Sequence, residues 1–111
     1  MGKLVYLIAS DSGKYKIGIT TTKNLDKRIK QLQTGNSEQL HVVKTYCTEY
    51  ASMVEKTLHR EFTTKKLMGE WFDLEIEDVL TFDQRCSRIE NGIQILKEQN
   101  NDYILKLLKI E

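Results

Sequence analysis

Leu4-Val5-Tyr6-Leu7-Ile8 and Tyr15-Lys16-Ile17-Gly18-Ile19-Thr20 are two β-prone runs separated by the turn residues Asp11-Ser12-Gly13, and a chain with this pattern is expected to form an antiparallel hairpin. The second run alternates, with Tyr15, Ile17 and Ile19 on one side and Lys16, Gly18 and Thr20 on the other. Asn24 then stands where it can cap a helix whose apolar positions Leu25, Ile29 and Leu32 recur at helical spacing, and Gly35-Asn36 ends it. Leu40 to Cys47 reads as a third strand. Glu49 to Phe62 reads as a second helix with Ala51, Val54, Leu58 and Phe62 toward the core. After Gly69, the run Glu70-Trp71-Phe72-Asp73-Leu74 is open between a further strand and an anchoring loop.

From Val79 the pattern changes. Val79, Phe82, Cys86, Ile89, Ile93, Leu96, Asn100, Tyr103, Leu107 and Ile110 follow steps of three and four, as in a heptad seam. A continuous helix over this stretch would leave its seam wet unless paired, and Asn100 is the kind of polar core residue that fixes two-strand register. The expected architecture is therefore α+β: a small three-stranded antiparallel sheet flanked by helices over residues 1–75, followed by a long C-terminal helix of coiled-coil character over residues 76–111 that makes a homodimer. The competing reading folds a broken helix back on its own domain, because Gly92 and Asn100-Asn101-Asp102 are weak helix formers.

The chain is 111 residues long with a formal charge of +1, but the charge is uneven. Residues 1–30 carry seven Lys/Arg against two acids, and residues 71–111 carry five against nine. A basic head is the usual footprint of polyanion binding, and equally of a solvated lysine face. Cys47 and Cys86 lack CxxC spacing or a histidine partner at metal-finger distance, so both read as reduced thiols of an intracellular, cytoplasmic protein. The apolar run Leu4 to Ala9 is too short for a signal peptide or a membrane span, so no membrane partner is expected.

Val5-Tyr6-Leu7, Lys16-Ile17-Gly18-Ile19-Thr20, Arg28 and Glu55, in that order, resemble the GIY-YIG nuclease superfamily, and within it the phage and viral branch described as DNA-binding. Arg28-Ile29-Lys30-Gln31-Leu32-Gln33-Thr34-Gly35-Asn36, Glu55-Lys56-Thr57-Leu58-His59-Arg60-Glu61-Phe62 and Gly69-Glu70-Trp71-Phe72-Asp73 extend the resemblance over about residues 4–74. It implies a three-stranded sheet flanked by helices, an intracellular location (the host cytoplasm for a viral protein), and a DNA endonuclease dependent on one Mg2+ or Mn2+ per active site. No small-molecule cofactor is implied. Under that resemblance Tyr6 assists deprotonation of the attacking water, Arg28 clamps the scissile phosphate and Glu55 alone holds the metal; magnesium tolerates a lone carboxylate because it keeps most of its waters.

Lys16 stands where the family carries its second tyrosine, and Tyr15 cannot replace it because neighbouring strand residues face opposite sides. Lysine there can still point a cation at water or phosphate. His59, one helical turn beyond Glu55, is placed to orient a water or contact phosphate. Lys14, Lys23, Lys27, Lys30 and Arg60 are the expected DNA-phosphate contacts, and Gly18 is expected to let a helix or a phosphate approach the strand. Two alternatives stay open: a DNA-binding module of the same fold that does not cut, and a dimerising adaptor with an acidic tail. Pure binding has no use for a carboxylate beside the phosphate, which favours the nuclease.

Overall fold

The structure is a computed structural model and describes residues 3–99. Strands β1 (Lys3–Ser10) and β2 (Tyr15–Thr21) form the expected hairpin, with Tyr6 opposite Gly18 and Ile8 opposite Lys16. Its turn is closed by Ser10 N–H donating to the Lys14 carbonyl at 2.8 Å and by Gly13 N–H donating to the Ser10 carbonyl at 3.0 Å. Gly13 takes φ +86°, a left-handed conformation that costs glycine nothing. Helix α1 (Leu25–Thr34) follows, then β3 (Leu40–Cys47), antiparallel to β1, and helix α2 (Ala51–Glu61).

The sheet has four strands, not the three expected. Its order is β3-β1-β2-β4, and β4 is the two-residue strand Trp71–Phe72, pairing with Lys16 and Tyr15 at one end of β2. So short a strand carries no alternation to read, and the run around it resembles a loop until its partner is known. Beyond Lys16, β4 makes no ladder with β2, which leaves the Gly18–Thr21 end of β2 as an edge.

Alternation along β1 and β2 splits the interior in two. Tyr6, Ile8 and Leu40 meet Leu25, Ile29 and Leu32 of α1 on one face, with Trp71 packed against them. Val5, Leu7, Ile17 and Phe72 meet Ala51, Val54, Leu58 and Phe62 on the other.

The second face also takes up five of the six seam positions that fall among the described residues. Val79, Phe82, Cys86, Ile89 and Ile93 all lie in that same core, so their partners are the domain's own strands and α2. The helix is also broken: α3 (Ile76–Leu80) stops and α4 (Phe82–Glu98) starts anew around Thr81. α3 begins with a capping box in which the Glu75 side chain takes the Asp78 N–H while the Asp78 carboxylate takes the Glu75 N–H. Polar contacts at the rim hold α4 in place. Tyr46 donates to Glu90 at 2.7 Å, Thr48 donates to the same carboxylate, and Arg85 and Arg88 both reach Glu61 at 3.0 Å.

The continuous coiled coil over 79–110 is therefore corrected to a fold-back in its described part, because stripes at three-four spacing serve an intrachain core as well as a dimer seam. The domain boundary drawn at residue 75 is likewise crossed by one continuous core. Asn100, Tyr103, Leu107 and Ile110 lie outside the described residues. Cys47 is exposed and Cys86 buried, both as free thiols, and burial pushes the Cys86 thiol up to about 12. No helix among the described residues is long and apolar enough to cross a membrane.

Candidate functional site

Tyr6 sits at the centre of the sheet because β1 is its middle-left strand and residue 6 faces α1. Its ring lies flat across Gly18 of the neighbouring strand: a Cβ built on Gly18 would come 2.4 Å from the Tyr6 Oη and 2.5 Å from Cζ. The close approach that requires glycine is thus made by the Tyr6 ring, not by a helix or phosphate as expected. Gly18→Ala is expected to lower stability by about 1–3 kcal/mol, since the ring is rigid and enclosed. A urea midpoint equal to wild type would show that the ring has somewhere to go.

Only 1% of Tyr6 is exposed. Burial raises the phenol above its ordinary pKa, the Arg28 guanidinium hydrogen-bonding it works in the opposite direction, and the carboxylates of Glu70 and Glu55 raise it further. These three neighbours come from α1, α2 and the flank of β4, and the arginine reaches the phenol from α1 because residue 28 follows Leu25 on the half-buried side of that helix. Arg28 also lines a depression of about 260 Å³ with Thr20, Asn24, Lys27 and Gln31. The phenol, the guanidinium and a basic hollow therefore adjoin one another at the α1–β2 junction.

Glu55 lies on α2, which covers the opposite face, yet its charge acts on Tyr6, and Glu70 and Lys16 act on it. Burial pushes its carboxyl above the usual range, with Glu70 adding to the effect and His59, Lys56 and Lys16 opposing it. His59 lies one turn along α2 from Glu55. Its Nε2 donates to the Ile17 carbonyl at 3.0 Å, its ring meets Phe72 edge-on at 4.9 Å between centroids, and its contact with Glu55 is a long 3.8 Å. His59 thus fastens α2 to the β2 edge and steadies Glu55.

Lys16 faces the same side as Tyr6 and Gly18, while Tyr15 packs against the opposite core, as strand alternation requires. Its ammonium is nearly buried, 3.0 Å from Glu70 and 5.7 Å from the centre of the Trp71 ring. Glu70 is the site residue that sequence reasoning passed over. It lies in the quoted Gly69–Asp73 run, and a charged residue beside the buried Phe72 was the available signal.

Of the expected phosphate contacts, Lys23, Lys27 and Lys30 are exposed on or beside α1, flanking Arg28. Lys14 stands apart at the hairpin turn, and Arg60 is on α2, where its guanidinium reaches Thr57 at 3.4 Å. Among the described residues no three His, Cys, Asp or Glu side chains gather closely enough to hold a metal by themselves. Glu55 nevertheless suits a single-carboxylate site, being half-buried with its burial incompletely answered by cations.

The T5orf172 domain matches residues 3–90. The chain belongs to the T5orf172 domain family. The match crosses residue 75 and takes in α3 and the first half of α4, in keeping with the single core they share with the sheet. All of Tyr6, Lys16, Arg28, Glu55, His59 and Glu70 fall within the T5orf172 domain. No curated protein and no solved structure matches the chain.

Proposed function

We propose that this T5orf172 domain is a divalent-metal-dependent DNA endonuclease of the GIY-YIG type. The observation that carries the reading is that Tyr6, Arg28 and Glu55, spread over fifty positions in sequence, act on one another: Arg28 hydrogen-bonds the Tyr6 phenol and lines a basic depression, and the charge of Glu55 acts on the same phenol. Membership of a phage-associated family related to nuclease-associated ones supports it. So does a carboxylate held at a cost inside a basic site, since binding alone gains nothing from it.

Phosphodiester hydrolysis needs a cation on the phosphate and an activated water. Arg28 supplies the first: its guanidinium can face two phosphate oxygens while Tyr6 fixes its orientation from behind. With its pKa raised, the phenol keeps its proton in the free protein, so there Tyr6 accepts the hydrogen bond of Arg28 and orients it; its part in water deprotonation belongs to the loaded site. Glu55 would hold the Mg2+ or Mn2+, which when bound lowers the pKa of water and offsets charge on the phosphate. Lys16, poised between Glu70 and Trp71, stands where the family has its second tyrosine and offers a cation to the same phosphate. Lys23, Lys27 and Lys30 extend the contact along the DNA backbone.

A plasmid-nicking assay with Mg2+ or Mn2+ tests this. Wild type is expected to nick, and Arg28→Ala to lower nicking about a hundredfold while reducing the salt dependence of DNA binding by about one phosphate contact. A protein that shifts DNA in a gel but never nicks it with either metal would be the non-cutting binding module instead.

A further inference from the structure

On the same face of the sheet as Tyr6, a groove of about 390 Å³ runs past Trp71 to the hairpin turn, lined by Ser10, Lys14, Asn36, Glu38, Leu67, Met68 and Trp71. Its walls are unusually apolar for exposed loops: Leu67 is 49% and Met68 79% exposed. Gly69 at φ +60° makes the turn that presents them opposite Trp71. The loop is held rather than loose, with Leu67 N–H donating to the Trp71 carbonyl and Trp71 N–H to the Met68 carbonyl, both at 2.9 Å.

Lys14 lines one end of the groove. Lys16, whose ammonium lies over the Trp71 ring and 3.0 Å from the Glu70 carboxylate, stands next to the groove and is not part of its wall. Glu38 also lines the groove, its carboxylate turned to the Ser12 N–H, which it accepts at 2.9 Å and which holds it ionised. An aromatic floor with flexible apolar walls and a lysine at one end suits an unpaired nucleobase with a phosphate beside it, because every base has a stacking face and its backbone carries the charge. Trp71 in the groove lies against Lys16, which faces the same side of the sheet as Tyr6, so the groove lies beside the candidate site.

We propose that this groove takes an unpaired DNA base next to the phosphate held at the site, so that the preferred substrate is single-stranded, branched or frayed DNA and not a fully paired duplex. This rests on the DNA-binding reading above. Stacking on Trp71, with Met68 and Leu67 closing over the base, supplies the preference, and Lys14 takes the next phosphate.

Trp71 is the only tryptophan in the chain, so its fluorescence reports on the groove alone. The intact protein is titrated with an oligothymidylate, with an oligonucleotide of the same length lacking bases, and with a paired duplex, while anisotropy of a labelled end follows binding. The expected result is quenching by the oligothymidylate alone, and a roughly tenfold or greater loss of oligothymidylate affinity in Met68→Asp with duplex affinity unchanged. Met68 is exposed enough for that change to leave folding intact. Binding without quenching, or equal quenching by the baseless strand, overturns the subsite and leaves the nuclease reading standing. Failure of every DNA form to bind overturns both. A concentration-dependent Trp71 blue shift without DNA gives the groove to a second copy of the chain and overturns the subsite.

Discussion

A chain ending at Leu74 is expected to be unfolded at room temperature, although it retains the whole sheet, α1, α2 and every residue of the candidate site. The cut removes Val79, Phe82, Ile89 and Ile93, all buried in the core that also holds Val5, Leu7, Leu58 and Phe72. Each large apolar side chain is worth roughly 1.5–3 kcal/mol when buried, so the four together contribute about 6–12 kcal/mol. A small domain has only about 5–15 kcal/mol of net stability, so the loss is comparable with the whole. Lost ties from Tyr46 and Thr48 to Glu90 and from Glu61 to Arg85 add to it. Circular dichroism and a thermal melt of the shortened chain would check this; a cooperative transition near the full-length midpoint would mean that residues 1–74 carry their own core. Phe82→Ala, expected to cost about 3–5 kcal/mol, tests the same packing without shortening the chain.

Glu55→Gln is expected to lower metal-dependent nicking by about a hundredfold or more while DNA binding stays level or tightens, since removing a carboxylate beside the phosphate removes a repulsion. The same substitution makes a separate prediction about stability. Burial holds the folded carboxyl of Glu55 above its ordinary value, so the residue's favourable contribution is complete below the unfolded pKa and is lost as pH rises through the folded one. At neutral pH the wild type therefore bears the cost of a buried charge, and the glutamine variant should melt at or above it. That difference should shrink toward zero as the buffer falls below the ordinary carboxylate range. A variant less stable than wild type at pH 7 would show that the ionised carboxylate is well compensated, and would remove the physical reason for a cation there.

Much of this layout is legible from residue order, and the exceptions have identifiable causes. The hairpin, α1, the Leu40–Cys47 strand and α2 follow from β-prone runs or helical spacing, with Gly and Asn marking the hairpin turn and the ends of α1, signals that are local. β4 is too short to repeat anything. The Val79–Ile93 stripe is local and strong, but spacing states which face is apolar and not whose apolar surface covers it; only the contacts with Phe62, Phe72 and the strands decide that. At the site, Tyr6, Arg28 and Glu55 are found by their order along the chain. Glu70 has no such position in a pattern, and its meaning arises when β4 lays it 3.0 Å from Lys16. His59 follows Glu55 at helical spacing, yet the Ile17 carbonyl that claims its Nε2 belongs to a strand 42 residues away, a pairing no helical spacing can reveal.

Tyr6 is at once a wall of the interior and a neighbour of the guanidinium, and this limits how the protein can be disarmed. Truncating that ring would open a hollow above Gly18 and confuse lost chemistry with lost shape. An inert yet intact version for trapping substrate is better built at Glu55 or Arg28, which are less deeply enclosed. At position 6 only the phenylalanine replacement, which deletes one oxygen and keeps the ring, would report on the hydroxyl itself.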